Sequence, residues 1–262
     1  MPNRLIVCGL LGLALASGCS AAKESADAPP ADKRRVRESV TADCMKQKGF
    51  SYTPFISPST QSDLEKRVAG GEYAALKETR SKYGFGIFST VVYPAQKQPV
   101  EDPNEKTKKA LPASQRKAYQ AAGEACYLSS AKQVLGLELT SIRQLSDMTA
   151  KAIEDIDKEM DADPKLVELA GPFAECLRSK GQVVSSSAPN GVNSNGPGIW
   201  MDQLRKLGGN VSAGKARPYL AKEVKAALDD LECGKDFYAV YNPKFARLTI
   251  EARTKFGFSP TP

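Results

Sequence analysis

Two stretches of the chain repeat one pattern around a cysteine, and this repeat constrains the fold more than any other feature of the sequence. Residues 42–49 are Ala-Asp-Cys-Met-x-x-Lys-Gly, and residues 174–181 are Ala-Glu-Cys-Leu-x-x-Lys-Gly. Each stretch ends a segment with helical spacing of apolar residues and closes on the glycine that commonly follows a helix. The pattern predicts two related helical units from a diverged tandem duplication. A chance likeness between two amphipathic helices is the alternative.

The first residues have the features of an export signal. Residues 1–4 carry one positive charge and no acid, and residues 5–16 form an apolar run of twelve residues. This run is shorter than the roughly 20 residues of a membrane-spanning helix. Residues 15–19, Leu-Ala-Ser-Gly-Cys, resemble the lipobox of bacterial lipoproteins. The resemblance implies a signal peptide over residues 1–18 and a mature lipoprotein that is anchored to membrane lipid through Cys19.

The lipobox resemblance also implies a location. The protein is expected at the cell membrane on the extracytoplasmic face, and Ser20 after the lipidated cysteine fits the outer membrane if the cell is Gram-negative. Ala16 stands where the lipobox usually has leucine. The alternative is an ordinary secretory signal with an A-x-A-like cleavage site near Cys19. Residues 19–31 are small, charged or proline and predict a flexible tether between the lipid and the body.

The cysteines that remain after Cys8 and Cys19 are even in number. Exported proteins use such sets mainly for disulfides, and the chain has no C-x-x-C spacing that would favour a metal site. Four cysteines allow three pairings, and one of these treats the two units alike. We therefore expect disulfides that join Cys44 with Cys126 and Cys176 with Cys233.

The absence of histidine excludes several classes of enzyme. Ser-His-Asp and Cys-His nucleophile systems, histidine-dependent zinc sites and haem ligation by histidine all require that side chain. The remaining catalytic candidates are the S-x-x-K pair Ser129 and Lys132, and carboxylates drawn from Glu124, Asp230 and Glu232. The sequence predicts no metal site and no cofactor.

The charge of the chain is mildly basic. It has 37 basic and 30 acidic residues, and the mature part carries +6 because the signal removes only Arg4. This balance suits anionic lipid headgroups or anionic wall polymers and is too weak to predict a nucleic-acid partner. The cluster Lys33, Arg34, Arg35 and Arg37 lies one short tether from the lipid and is predicted to contact the membrane surface. A solvated helix face is the alternative.

The predicted fold is mostly α, with two related disulfide-stapled helical units. Unit 1 covers residues 32–136, a connecting helix covers 137–162, and unit 2 covers 163–262. Unit 1 is expected to contain a short β-ribbon from the aromatic segments 51–60 and 84–95. Residues 185–198 are expected to form a polar loop in its place in unit 2.

These features predict a non-catalytic binding or envelope-structural module. Its partner would be an anionic wall polymer, a peptide or an envelope protein, and the alternative is an envelope hydrolase that uses carboxylates or the Ser-Lys pair. An aromatic set either lines a groove for such a partner or packs in the core. Its members are Tyr52, Phe55, Tyr83, Phe85, Phe88, Tyr93 and Trp200.

Overall fold

The computed structural model describes residues 30–58, 61–94 and 100–258, and over these ranges the chain is mostly helical and carries two disulfides. The predicted signal peptide, Cys19 and most of the predicted tether lie outside the described residues. The helices are α1 (Pro30–Gln47), α2 (Asp63–Ala69), α3 (Tyr73–Tyr83), α4 (Ser89–Val92), α5 (Pro103–Ala110), α6 (Ala113–Leu135), α7 (Ile142–Ala162), α8 (Pro164–Ser179), α9 (Pro189–Lys206), α10 (Ala213–Cys233) and α11 (Lys235–Lys255).

The predicted β-ribbon is not confirmed, because no β-strand occurs in the described ranges. Residues 51–58 run without regular structure, and residues 89–92 form the single helical turn α4. Phe88, before α4, is fully buried against Tyr219 and Trp200, with ring centroids 5.1 and 6.1 Å away. The strand propensity of these aromatic residues is thus overridden by their packing in a helical core.

Side-chain caps begin helices α2 and α8. At α2, the Ser62 hydroxyl accepts from the Glu65 backbone N–H at 3.2 Å, and the Glu65 carboxylate accepts from the Ser62 N–H at 2.7 Å. At α8, Asp163 accepts from two backbone N–H groups of the first turn at 2.8 and 3.0 Å. Each cap satisfies N–H groups that the first turn of a helix leaves without partners.

Helices α1 and α6 pack side by side, with α5 against α6. The Cys44–Cys126 disulfide joins the two long helices across a sequence separation of 82 residues. Met45 is fully buried in their interface, and the ring of Phe50 meets Tyr119 edge to face at 5.4 Å. We refer to this body as the α1/α6 pair.

The larger core lies among α7 to α11. The rings of Phe173, Phe237 and Tyr238 contact one another with centroids 5.4 to 5.6 Å apart. The Cys176–Cys233 disulfide ties α8 to the end of α10. Both disulfides are the pairs that the sequence predicts.

Helices α2 and α3 belong to this larger core, and α4 belongs to a smaller apolar cluster with α9 and α10. Helix α3 packs along α10, α4 also packs on α10, and α2 contacts α11. Arg80 on α3 forms an ion pair with the fully buried Asp230, which also accepts from the Tyr238 hydroxyl at 2.7 Å. The packing therefore crosses the sequence boundary between the two predicted units.

A second buried carboxylate organises the turn after α3. Glu223 on α10 is fully buried and accepts hydrogen bonds from the backbone N–H groups of Phe85, Ile87 and Phe88 at 2.8, 2.9 and 2.8 Å. Burial raises the pKa of Glu223, and the backbone hydrogen bonds oppose that shift. The turn can close this tightly because Gly84 has φ +61° and no Cβ, which would otherwise lie 2.8 Å from Glu223 Cγ.

The polar loop predicted over residues 185–198 is wrong from residue 189 onwards, where α9 begins. Val192 and Gly196 are buried in this helix, and a Cβ on Gly196 would lie 2.3 Å from the Phe85 ring. The small residues that lower helix propensity here allow close approach of a neighbouring ring. Tertiary packing therefore outweighs the polar and glycine-rich composition.

Candidate anion-binding site

The candidate site begins with the basic cluster in the first turns of α1. A helical repeat of 3.6 residues places Arg34 and Arg37 on one face of the helix. In the structure these two side chains are half-buried, whereas Lys33 and Arg35 are exposed. Two of the four residues predicted to contact a membrane surface are therefore partly buried, and the other two are exposed.

Arg37 holds the end of α11 against the α1/α6 pair. Its Nη1 donates to the Tyr127 hydroxyl and to the Gly257 carbonyl, both at 3.2 Å, and its guanidinium carbon lies 4.8 Å from the centroid of the Tyr127 ring. Its Nη2 lies 3.5 Å from Glu38 Oε1. Because only 12% of the Arg37 side chain is exposed, these contacts hold the guanidinium in one orientation.

A pocket of about 410 Å³ opens beside these arginines, and we call it the arginine pocket. Within the described ranges, Arg34 makes no hydrogen bond or ion pair, and the Nε atoms of Arg34 and Arg37 are buried without a hydrogen-bond partner. Two half-buried guanidinium groups with unused donors favour a negatively charged ligand. The lining residues are Arg34, Arg37, Glu38, Phe55, Ile56, Ser57, Pro58, Arg253, Gly257 and Phe258.

Glu38 is the one carboxylate among the described residues that line the pocket, and it is held by contacts from inside the protein. Its Oε2 accepts from the Tyr52 hydroxyl at 3.0 Å and from the Phe55 backbone N–H at 3.3 Å. Burial, together with the charge of Glu38, raises the pKa of Tyr52, so the phenol stays protonated and continues to donate. Among the lining residues in the described part of the chain, three arginines accompany this one carboxylate, so arginines outnumber carboxylates in the wall.

This arrangement suits an oxyanion such as a phosphate or a carboxylate. A guanidinium presents a planar fork of donors that binds two oxygens of such a group at once. The volume lies within the range of about 300 to 1,000 Å³ that is typical of small-molecule pockets. Partial burial of the arginines strengthens the attraction, because the effective dielectric constant there is lower than in water.

The Ser-Lys pair is not built as a catalytic site. Ser129 and Lys132 are both exposed on α6, and the Lys132 Nζ lies 2.8 Å from Glu138 Oε1. A lysine becomes a general base when it is buried or lies beside another cation. Lys132 is exposed, and its charged neighbour is the anion Glu138.

The candidate carboxylates do not converge on one cleft. Glu124 is exposed on α6, Asp230 is enclosed with Arg80 in the larger core, and Glu232 is exposed and accepts from the Tyr73 hydroxyl. Among the residues that the structure describes, no group of three or more histidine, cysteine, aspartate or glutamate residues is placed to hold a metal ion.

The predicted aromatic set is also dispersed. Phe88 and Trp200 pack in the core between α4, α9 and α10, Tyr52 and Phe55 lie beside α1, and Tyr93 is exposed. These rings therefore do not form one groove for a sugar or peptide.

A larger groove of about 610 Å³ lies between α2, α3 and α11. Its lining is mainly apolar, and the one charged lining residue in the described part of the chain is Glu65, which takes part in the α2 capping box. The arginine pocket is therefore the better candidate, because its charge selects a class of ligand.

The sequence predicts Arg34 and Arg37 as membrane-surface contacts and gives no sign of the residues that complete the pocket with them. Gly257 and Arg253 lie more than 200 residues further along the chain, so no local pattern connects them with α1. Gly257 could have been recognised only as a glycine that follows a helix.

No helix within the described ranges is long and apolar enough to cross a membrane. Comparisons of the chain with protein-family models, curated proteins and solved structures gave no match.

Proposed function

We propose that this protein is a lipid-anchored, extracytoplasmic binding module that uses the arginine pocket to bind an anionic group close to the membrane. The observation that carries the proposal is the half-buried Arg34, which lacks a partner among the described residues and lines a pocket with two further arginines. The lipobox resemblance at residues 15–19 supports the anchor and the location.

The position of the pocket in the chain agrees with this role. Helix α1 begins at Pro30, and the eleven residue steps from Cys19 reach at most about 40 Å when fully extended. The exposed Lys33 and Arg35 would each add about 1 kcal/mol of attraction to an anionic surface. The anionic group is therefore that of a membrane lipid or of a wall polymer near the membrane.

A non-catalytic role is supported by the arrangement of the catalytic candidates. Ser129 and Lys132 are solvated on a helix surface, and the candidate carboxylates lie in separate parts of the described structure. A hydrolase would need two such groups within reach of one bond.

We also propose that the two cysteine-bearing segments descend from one duplicated unit. After α1, the Gly49 and Phe50 N–H groups bond to Lys46 and Met45 carbonyls at 2.9 and 3.0 Å. After α8, the N–H groups of residues 181 and 182 bond to the carbonyls of residues 178 and 177 at 2.9 and 3.0 Å. The two glycines have φ +81° and +78°. The same closure also ends α11 at Gly257, so the support for common descent is the aligned sequence around the two cysteines at residues 42–49 and 174–181.

The anchor is tested by the intact mass of the membrane-extracted protein, measured with and without reduction and alkylation. We expect a mass that includes a diacylglycerol on Cys19 and a gain of four alkyl groups on reduction. A protein that stays soluble and carries no lipid mass would contradict the anchor.

The pocket is tested by titrating inorganic phosphate into the mature chain, with Cys19→Ser to prevent lipid attachment, and following backbone NMR signals. Arg34→Gln removes a charged donor from the pocket, and we expect about tenfold weaker binding or more, since a hydrogen bond to a charged group contributes about 1.5 to 3 kcal/mol. Arg35→Gln is the matched control, because it removes the same charge from the exposed neighbour. Equal weakening in both variants would show diffuse surface attraction and contradict a pocket.

A further inference from the structure

We infer that the arginine pocket and an adjoining apolar groove together hold one amphipathic anionic lipid, with its phosphate at Arg34 and its acyl chain along α7. This inference rests on the anion-binding role proposed above and names the class of ligand.

The groove has a volume of about 520 Å³ and lies between α6, α7 and the end of the described chain. Its apolar walls include Tyr127, Ile142, Leu145, Ile153 and Phe258, and none of the lining residues that the structure describes is charged. Ile142 at the rim is 42% exposed. Large apolar side chains that face an open groove favour an apolar ligand segment, because burial removes their surface from water.

The groove and the arginine pocket share a wall. Phe258 lines both, and Tyr127 in the groove accepts the hydrogen bond that Arg37 in the pocket donates. Over the described residues, a ligand that crosses Phe258 therefore meets guanidinium groups at one end and uncharged side chains at the other. The lining thus changes from basic to apolar at Phe258, and this change matches a molecule with a charged head joined to a hydrocarbon tail.

Other ligands would use only part of this surface. A wall polymer with phosphate groups but no hydrocarbon tail would leave the apolar groove exposed. A diacylglycerol on Cys19 would fill the groove but leave Arg34 without an anion. A phospholipid or lysophospholipid of the membrane satisfies both parts, and the proposed anchor keeps the site next to a supply of such molecules.

The test compares butyl phosphate with decyl phosphate by isothermal titration calorimetry on the mature chain with Cys19→Ser, below the micelle concentration. Complete burial of one CH₂ group raises affinity about fourfold, which corresponds to about 0.8 kcal/mol. If the open groove buries half of each group, six additional CH₂ groups give roughly 60-fold tighter binding of decyl phosphate. Decanol, which lacks the phosphate, should bind at least tenfold more weakly than decyl phosphate.

Two isoleucines provide a matched pair of variants. Ile142 in the groove and Ile199 on α9 are both 42% exposed, so changing either to serine has a similar effect on the folded surface. We expect Ile142→Ser to weaken decyl phosphate about tenfold and to leave butyl phosphate unchanged. Ile199→Ser should bind both ligands like the parent chain.

The outcomes separate this inference from the proposed function. Equal affinity for butyl and decyl phosphate would overturn the lipid inference and leave the anion site intact. If neither phosphate binds, both the lipid inference and the anion site are overturned. Unchanged decyl phosphate affinity in Ile142→Ser would overturn the placement of the tail, and chain-length dependence that this variant abolishes would support it.

Discussion

The turn after α11 forms one wall of the arginine pocket, and Gly257→Ala tests how that wall is held. Gly257 has φ +73°, where a side chain costs about 1 to 2 kcal/mol. Its Cβ would lie 2.6 Å from Leu135 Cδ1 and 2.8 Å from Arg37 Nη1, so the guanidinium must move away. Losing the hydrogen bond from Arg37 to the Gly257 carbonyl adds about 1.5 to 3 kcal/mol. We expect the free energy of unfolding to fall by about 2.5 to 5 kcal/mol.

Gly181→Ala is the control that isolates the contact with Arg37. Gly181 has φ +78° and closes α8 with the same pair of backbone hydrogen bonds, but nothing lies within 4 Å of its Cβ position. It should therefore lose only about 1 to 2 kcal/mol. Urea unfolding of both variants, monitored by circular dichroism, measures the difference between their free energies of unfolding. At about 2 to 4 °C per kcal/mol, the Tm of the Gly257 variant should lie roughly 3 to 12 °C below that of the control. Equal losses in the two variants would refute the role assigned to Arg37.

Three further predictions concern the scaffold. Replacing Cys44 and Cys126 together with serine should lower the free energy of unfolding by about 4 kcal/mol, because the disulfide closes a long loop; a urea-measured loss below about 1 kcal/mol would contradict this. Glu223→Gln should lower the free energy of unfolding by about 2 to 3 kcal/mol in the same assay, because the glutamine NH₂ must face a buried backbone N–H. An unchanged urea midpoint would contradict the assigned hydrogen bonds. The hydrogen bond from Lys244 and two backbone N–H groups hold the pKa of Asp163 below its usual value, so its contribution to stability is present at neutral pH and is lost as the pH falls through that lowered pKa. Asp163→Asn should therefore flatten the fall in stability below about pH 4, and an unaltered slope would contradict the pairing.

Much of the helical framework could be predicted from local signals. Ser62 with Glu65, and Asp163 before a proline, begin helices because their side chains satisfy N–H groups within the same turn. The repeat around Cys44 and Cys176 also indicated which cysteines pair, because it placed each one in an equivalent helix. These inferences depend on neighbours along the chain, and the sequence contains them directly.

The local structure expected at residues 84–95 and at the start of α9 was not found, because contacts with distant parts of the chain determine it. The segment at residues 84–95 has strand-like composition, yet Phe88 packs against Trp200 from α9 and the turn closes on Glu223 from α10. The start of α9 has loop-like composition, yet its glycine at position 196 accommodates the Phe85 ring. In both places the partner lies about 100 residues or more away, so propensity alone favoured the wrong local structure.

By itself the sequence determined the helical class, the helix ends marked by caps and glycines, the cysteine pairs and the basic cluster on α1. Only the tertiary structure decided that Arg34 and Arg37 turn inward while Arg35 stays outside, and that Arg37 meets a carbonyl 220 positions further along the chain. The physical reason is the distance along the chain over which each kind of interaction acts. Capping and helical periodicity act within one or two turns, whereas a binding pocket is formed by side chains that become neighbours only when distant helices pack.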